Sequence, residues 1–137
     1  MVGLECKPIP VEITYGLERL CMFVQKKNNV FDLDWNNEGV KYREVFYQAE
    51  KEFSAYNFEI ANTETLLKNF EMAESECKSL LEKNLALPAY DQCLKASHFF
   101  NLLDARGVIS VTERTTYINR IRDLAKGSGA LWLKSQL

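Results

Sequence analysis

The sequence predicts a mainly α fold opened by a short N-terminal antiparallel β element. Three observations predict it. Residues 4–15 alternate apolar and polar side chains with period two. From Leu17 onward the apolar residues recur every three to four positions. Turn and cap residues then divide that helical pattern into separate segments.

Each element follows in order. Leu4-Glu5-Cys6-Lys7 alternates, Pro8 and Pro10 interrupt, and Val11-Glu12-Ile13-Thr14-Tyr15 alternates again. The prolines mark a bend or an edge, because they cannot donate to a ladder. Gly16 breaks the strand. Leu17, Leu20, Cys21 and Val24 then share one helical face, which Asn28-Asn29 is expected to end. Asn36-Asn37-Glu38-Gly39 reads as a turn within residues 30–42. Phe46, Tyr47, Phe53, Tyr56 and Ile60 place a helix over 43–61. Asn62-Thr63 offers an N-cap to the next helix, over 64–83, whose stripe is Leu66, Phe70, Ala73, Cys77 and Leu80. Pro88 suits the first turn of a helix running to about Arg106, with Tyr90, Leu94, Ser97 or His98, and Leu102 turned inward. Gly107 can supply a left-handed cap, and Ser110-Val111-Thr112-Glu113 fits a capping box. The last helix is expected over 111–126, stopped by Gly127-Ser128-Gly129.

The 137 residues suffice for one cored domain. Apolar residues make up 47% and charged residues 26%, which excludes wholesale disorder. The net charge of −2 gives no bulk attraction to nucleic acid or anionic lipid. The charge is uneven, since residues 106–137 carry six Lys/Arg against two Asp/Glu. Arg120 and Arg122 lie about 200° apart around a helix, so they do not form one patch. No apolar run reaches the ~18 residues of a membrane span, and no signal-peptide pattern opens the chain. Cys6, Cys21, Cys77 and Cys93 form no C-x-x-C pair, and His98 is the only histidine. Zinc spacing is therefore lacking and no metal site is expected. Cys21, Cys77 and Cys93 read as small hydrophobes in a reduced cytoplasm. His98 is expected to be packed and hydrogen-bonded. The aromatic helix at 46–56 reads as core or partner surface rather than a base-stacking platform.

One stretch carries chemistry. Glu12, Thr14 and Gly16 share one strand face, which is polar and ends at a glycine where a ligand or backbone can approach closely. The following helix places Arg19 in its first turn. Free amides there favour anions, and a guanidinium adds a planar permanent charge suited to phosphate or to stacking on a base. The same Glu18-Arg19 pair also reads as an ordinary solvated helix start.

Glu12-Ile13-Thr14-Tyr15-Gly16-Leu17-Glu18-Arg19-Leu20 resembles motif 3 of the class II aminoacyl-tRNA synthetases. More specifically it resembles that motif in the α subunit of the bacterial tetrameric (α2β2) glycine–tRNA ligase. Gly3-Leu4-Glu5-Cys6-Lys7-Pro8, Val30-Phe31-Asp32-Leu33-Asp34-Trp35, Leu87-Pro88-Ala89-Tyr90-Asp91 and Phe100-Asn101-Leu102-Leu103-Asp104-Ala105-Arg106-Gly107 extend the likeness through nearly the whole chain. Two features depart from it. Motifs 1 and 2 have no counterpart here, and Thr14 stands where the general motif has glycine.

The resemblance implies a C-terminal part of that subunit. Residues 1–30 would be the end of the class II catalytic core, its β element a remnant of the class II sheet. Residues 31–42 would connect it to an α-helical domain over 43–137. The implied activity is ATP-dependent activation of glycine to glycyl-adenylate and charging of tRNA(Gly) in the cytoplasm. Arg19 would be the catalytic residue, stacking on adenine and reaching the terminal phosphate. Gly16 and Glu18 would complete the nucleotide site with it. Glu5, Glu12 and Thr14 would meet the substrate, although Glu5 and Glu12 also read as surface carboxylates. ATP and Mg²⁺ are implied. Glycine, tRNA(Gly), the β subunit and a second α subunit are the implied partners, and no membrane is. The competing expectation is a helical module without chemistry that docks the β subunit or another protein.

Overall fold

A computed structural model describes residues 3–136. Its elements, in order, are α1 (Leu17–Val24), a 3-10 turn (Val30–Asp32), α2 (Tyr42–Ala55), a π-helical turn (Tyr56–Ile60), α3 (Thr63–Glu82), α4 (Ala86–Ala105) and α5 (Val111–Ser135). The chain forms two compact units, one of residues 7–56 and one of residues 57–137 with the first six.

The expected N-terminal antiparallel β element is absent: among the described residues there is no strand. Residues 8–16 run without regular structure, and Ile9, Val11 and Ile13 are 83%, 87% and 74% exposed. Alternation makes a segment compatible with a sheet but supplies no ladder, and a strand without partners is not stable in water. Pro8 and Pro10 also remove two amide donors. The one β-type pairing is an isolated antiparallel bridge, Asp34 with Lys41.

In the unit of residues 7–56, Gly16 caps α1 at φ +78°, a backbone region that favours glycine. The helix ends at Val24, ahead of Asn28-Asn29: Gln25 is its C-cap and Lys26 turns the chain at φ +53°, while the Gln25 side chain holds the loop. Its side-chain amide donates to the Asp34 carbonyl at 3.1 Å and accepts from the Asp34 amide at 2.8 Å. The turn at 36–39 forms around Asn36, whose side-chain oxygen accepts from the amides of Glu38 and Val40. Gly39 sits at φ +90°. Glu44 opens α2 by reaching back to the Lys41 amide at 2.8 Å.

The other unit is a bundle of α3, α4 and α5. Asn62 caps α3 by accepting from the Thr65 amide at 2.9 Å. Ser110 caps α5 by accepting from the Glu113 amide, while the Glu113 carboxylate accepts from the Ser110 amide at 3.0 Å. That pairing with Ser110 also holds the Glu113 carboxyl below its ordinary range. Phe70, Ala73, Cys77, Ala89, Cys93, Ala96, Phe100 and Leu124 form the main core, and Ala61, Leu66, Leu102 and Leu103 a smaller one. Burying a Phe70 or a Leu103 side chain contributes about 1.5–3 kcal/mol each.

Two expectations shift here. The inward residues of α4 are Ala89, Cys93, Ala96, Phe100, Leu102 and Leu103, so Leu102 is buried as expected while the rest of the expected stripe is out of phase. Tyr90 and Leu94 are 47% and 52% exposed, and so is His98, whose ring contact is with Phe99. Small Ala and Cys side chains let the helices approach closely, so the tight face is the one with the smaller residues. Cys77 and Cys93 are buried in it, whereas Cys21 is exposed on α1.

The second shift concerns Gly127-Ser128-Gly129, which lies inside α5 rather than ending it. A Cβ on Gly127 would stand 2.9 Å from Leu81 Cδ1, so the missing side chain makes room for α3. Ser128 is buried and donates to the Leu124 carbonyl at 2.9 Å, the i−4 bond that lets a serine sit within a helix.

The bundle is pinned by a polar contact in its flank. Glu74 is buried on α3, and both its oxygens accept from Arg120 of α5, the Nε contact at 3.1 Å. Lys78 also reaches Glu74, at 3.1 Å. The Arg120 guanidinium lies 4.6 Å from the Phe70 ring centroid and 4.9 Å from that of Tyr117. Arg120 thus serves internal pairing. Its hydrogen bonds hold the Glu74 carboxyl below the usual carboxylate range.

Candidate functional site

The residues singled out by sequence lie mostly at the start of the 7–56 unit. Glu12 and Thr14 are both exposed on the irregular segment, and the Thr14 hydroxyl donates to the Glu12 carboxylate. They remain neighbours without a strand, through a hydrogen bond two residues apart. Gly16 turns the chain into α1, and nothing lies within 4 Å of where its Cβ would stand. A flat group could therefore lie against this backbone without a clash.

Glu18 and Arg19 follow in the first turn of α1. They part company there. Glu18 lies close enough to Tyr42, at the start of α2, for its charge to act on the phenol. Burial, and then the nearby Glu18 charge, push the Tyr42 phenol above its ordinary value. Arg19 is exposed and forms no ion pair among the described residues. Glu18 is thus committed to an internal contact, while the neighbouring guanidinium stays available to an anion. Glu5 is exposed and belongs to the other unit, apart from Glu12 and Thr14.

Sequence reasoning did not find the ring cluster to which Tyr42 belongs. Phe31, Trp35, Tyr42, Phe46 and Tyr47 form a connected ring cluster, with Tyr42 and Phe46 centroids 4.5 Å apart and Trp35 and Phe46 5.2 Å apart. Phe31 meets Tyr47 edge-on at 5.1 Å. The signal was present as aromatics on both sides of the Asn36–Gly39 turn, since a turn that closes brings its flanks together. Two ion pairs border the cluster: Arg43 with Asp32 at 3.1 Å, and Lys41 with Asp34. The Lys41 hydrogen bond also lowers the Asp34 carboxyl.

Nucleophilic chemistry has little footing in the helical bundle. Burial raises the Cys77 thiol and pushes Cys93 up to about 11, which keeps both protonated at neutral pH. Among the described residues no three His, Cys, Asp or Glu side chains converge as a metal cluster. No helix of the described residues is long and apolar enough to cross a membrane. An exposed arginine past a glycine turn, with a carboxylate and a hydroxyl upstream, can neutralise and orient an anion rather than attack a bond. The model of the family described as "Glycyl-tRNA synthetase alpha subunit" matches residues 1–137.

Proposed function

This chain belongs to the glycyl-tRNA synthetase alpha subunit family, and from that premise we propose that its first unit carries the class II motif 3 part of the ATP site. The family is one of aminoacyl-tRNA synthetases, ligases of protein biosynthesis that act on glycine and tRNA. In the reaction we propose, the glycine carboxylate attacks the α-phosphate of ATP. Glycyl-adenylate forms and pyrophosphate leaves. The terminal ribose hydroxyl of tRNA(Gly) then takes the glycyl group and releases AMP.

Arg19 stacks on adenine and neutralises the terminal phosphate. The observation that carries this role is its exposed, unpaired guanidinium three residues past Gly16. Gly16 leaves room for the nucleotide against the backbone. Glu18 completes the nucleotide site beside Arg19. Glu12 and Thr14 meet the glycine ammonium. Mg²⁺ keeps most of its water and takes one or two carboxylates together with phosphates, so it arrives with ATP. We further propose that these 137 residues alone do not activate glycine, because nothing in them corresponds to the motif 2 arginine. The complete enzyme works in the cytoplasm as an assembly of two α and two β subunits.

The test is ATP–pyrophosphate exchange with glycine in the assembled enzyme. Arg19→Ala lowers exchange at least about 100-fold, the scale on which loss of one preorganised charge acts. Assembly with the β subunit is unchanged. Normal exchange in the variant overturns the assignment.

A second reading rests on α4 and α5. Leu87, Tyr90, Gly129 and Trp132 are among the residues that line a cavity of about 320 Å³. Exposed apolar side chains gathered there suit a helical module that docks the β subunit or another protein. Loss of assembly, with normal ATP handling, on Trp132→Ser favours that reading.

A further inference from the structure

Along α2, Tyr42, Phe46, Glu50 and Phe53 fall on one stripe at helical spacing. With Val30, Phe31 and Ala49 they line a cavity of about 370 Å³, contained within residues 30–53. Four of these seven side chains are aromatic rings. Phe31 and Tyr42 stand 6.2 Å apart at 56°, and Tyr42 and Phe46 4.5 Å apart at 35°. Glu50 is the only charged residue of the lining. Its carboxylate accepts one bond, from the Ser54 hydroxyl at 3.3 Å, and forms no ion pair among the described residues. Arg43 and Lys41, which border the ring cluster, are paired with Asp32 and Asp34.

The one charge in the lining itself is therefore negative, while Arg43, which donates to the Phe31 carbonyl, is balanced by Asp32. Ring faces are negative through their quadrupoles, and Glu50 adds a full negative charge. Glu18 adds another against Tyr42, where both carboxylates act on the phenol. An anionic ligand is repelled. A neutral apolar ligand fills the groove but strips water from Glu50 without replacing it, which is costly. A cation with an apolar body satisfies both the rings and the carboxylate.

We propose that this groove binds an organic cation, an alkylammonium or guanidinium group, with its charge against Glu50 and its body among Phe31, Tyr42, Phe46 and Phe53. The site is separate from the nucleotide reading, since it uses neither Arg19 nor Glu12, Thr14 or Glu5. Two sources present this chemistry: a free polyamine, or an arginine or lysine side chain on a partner protein.

The test titrates the 137-residue chain by amide NMR with spermidine, tetramethylammonium and N-acetylarginine amide. N-acetylcitrulline amide and neopentyl alcohol serve as neutral counterparts. All three cations shift amides of residues 30–53 and the neutral compounds do not. Glu50→Gln, an exposed change that leaves the fold intact by circular dichroism, weakens the cations about 10-fold. Phe46→Leu, which keeps the apolar volume and removes a ring face, weakens them as well. A preference for spermidine assigns the free amine, and a preference for the arginine derivative assigns a partner side chain. The proposal is overturned if the neutral compounds bind as tightly as the cations, if Glu50→Gln leaves affinity unchanged, or if no cation shifts these amides.

Discussion

Replacing Arg120 by alanine removes the polar pin of the helical bundle and strands a charge. Glu74 is 7% exposed and loses both hydrogen bonds from the guanidinium. Breaking a buried pair from one side costs about 3–5 kcal/mol. Two structural facts scale that figure. Lys78 still reaches Glu74 at 3.1 Å and keeps the carboxylate partly compensated. The Arg120 side chain is itself about one-third exposed. Against this, the contacts with the Phe70 and Tyr117 rings are lost, at about 0.5–1 kcal/mol each. The net expectation is about 2–3 kcal/mol, measured by urea unfolding followed by circular dichroism, or a fall in Tm of about 8–12 °C. The sign with pH follows from the lowered Glu74 carboxyl. A group depressed in the folded state contributes stability above its unfolded pKa and loses it as pH falls through the folded value. The wild-type excess over Arg120→Ala is therefore full at pH 7 and shrinks below the ordinary value of 4.5. Replacing Glu74 and Arg120 together by methionine costs far less than Arg120→Ala alone, since no charge is then left buried. A single-variant cost under about 0.5 kcal/mol, or one that grows on acidification, refutes this account of the pin.

Further outcomes follow from the same coordinates. Gly127→Ala is near neutral, because about 1 kcal/mol of gained helix propensity offsets moving the end of Leu81, whereas Gly127→Phe costs about 1–3 kcal/mol in urea unfolding. Ser110→Ala lowers stability by about 1 kcal/mol through loss of the α5 cap, read in the same assay. Iodoacetamide at pH 8 modifies the exposed Cys6 and Cys21 promptly and spares the buried, high-pKa Cys77 and Cys93 until urea is added, as intact-mass spectrometry will register.

The helices were legible where a local signal sufficed. Asn62, Gly107 and the Ser110–Glu113 box mark boundaries through side chains that bond within three or four residues, and tertiary context leaves such bonds intact. The α3 stripe was legible because only one of its faces is apolar. α4 is apolar on two faces, so periodicity alone could not decide between Ala89–Cys93–Ala96 and Tyr90–Leu94. Packing resolved it by size, a property of neighbouring helices that one segment does not encode. The same holds for Gly127: a glycine that ends a helix and one that admits a neighbour look alike until Leu81 is in place. The expected strand failed for a related reason, since a ladder is a property of two segments. Of the candidate site, the sequence showed Gly16 and Arg19 in their local setting. The approach of Glu18 to Tyr42, and the ring cluster to which Tyr42 belongs, depend on the fold of residues 25–42.

The central claim is that Arg19 serves the nucleotide and not the architecture. ATP–pyrophosphate exchange by the assembled enzyme carrying Arg19→Ala tests it most directly, with sedimentation recording assembly in the same preparation. The account predicts exchange lost by two orders of magnitude or more in an enzyme that still sediments as the full assembly. Exchange at the wild-type rate, or loss of exchange only because the subunits no longer associate, contradicts it.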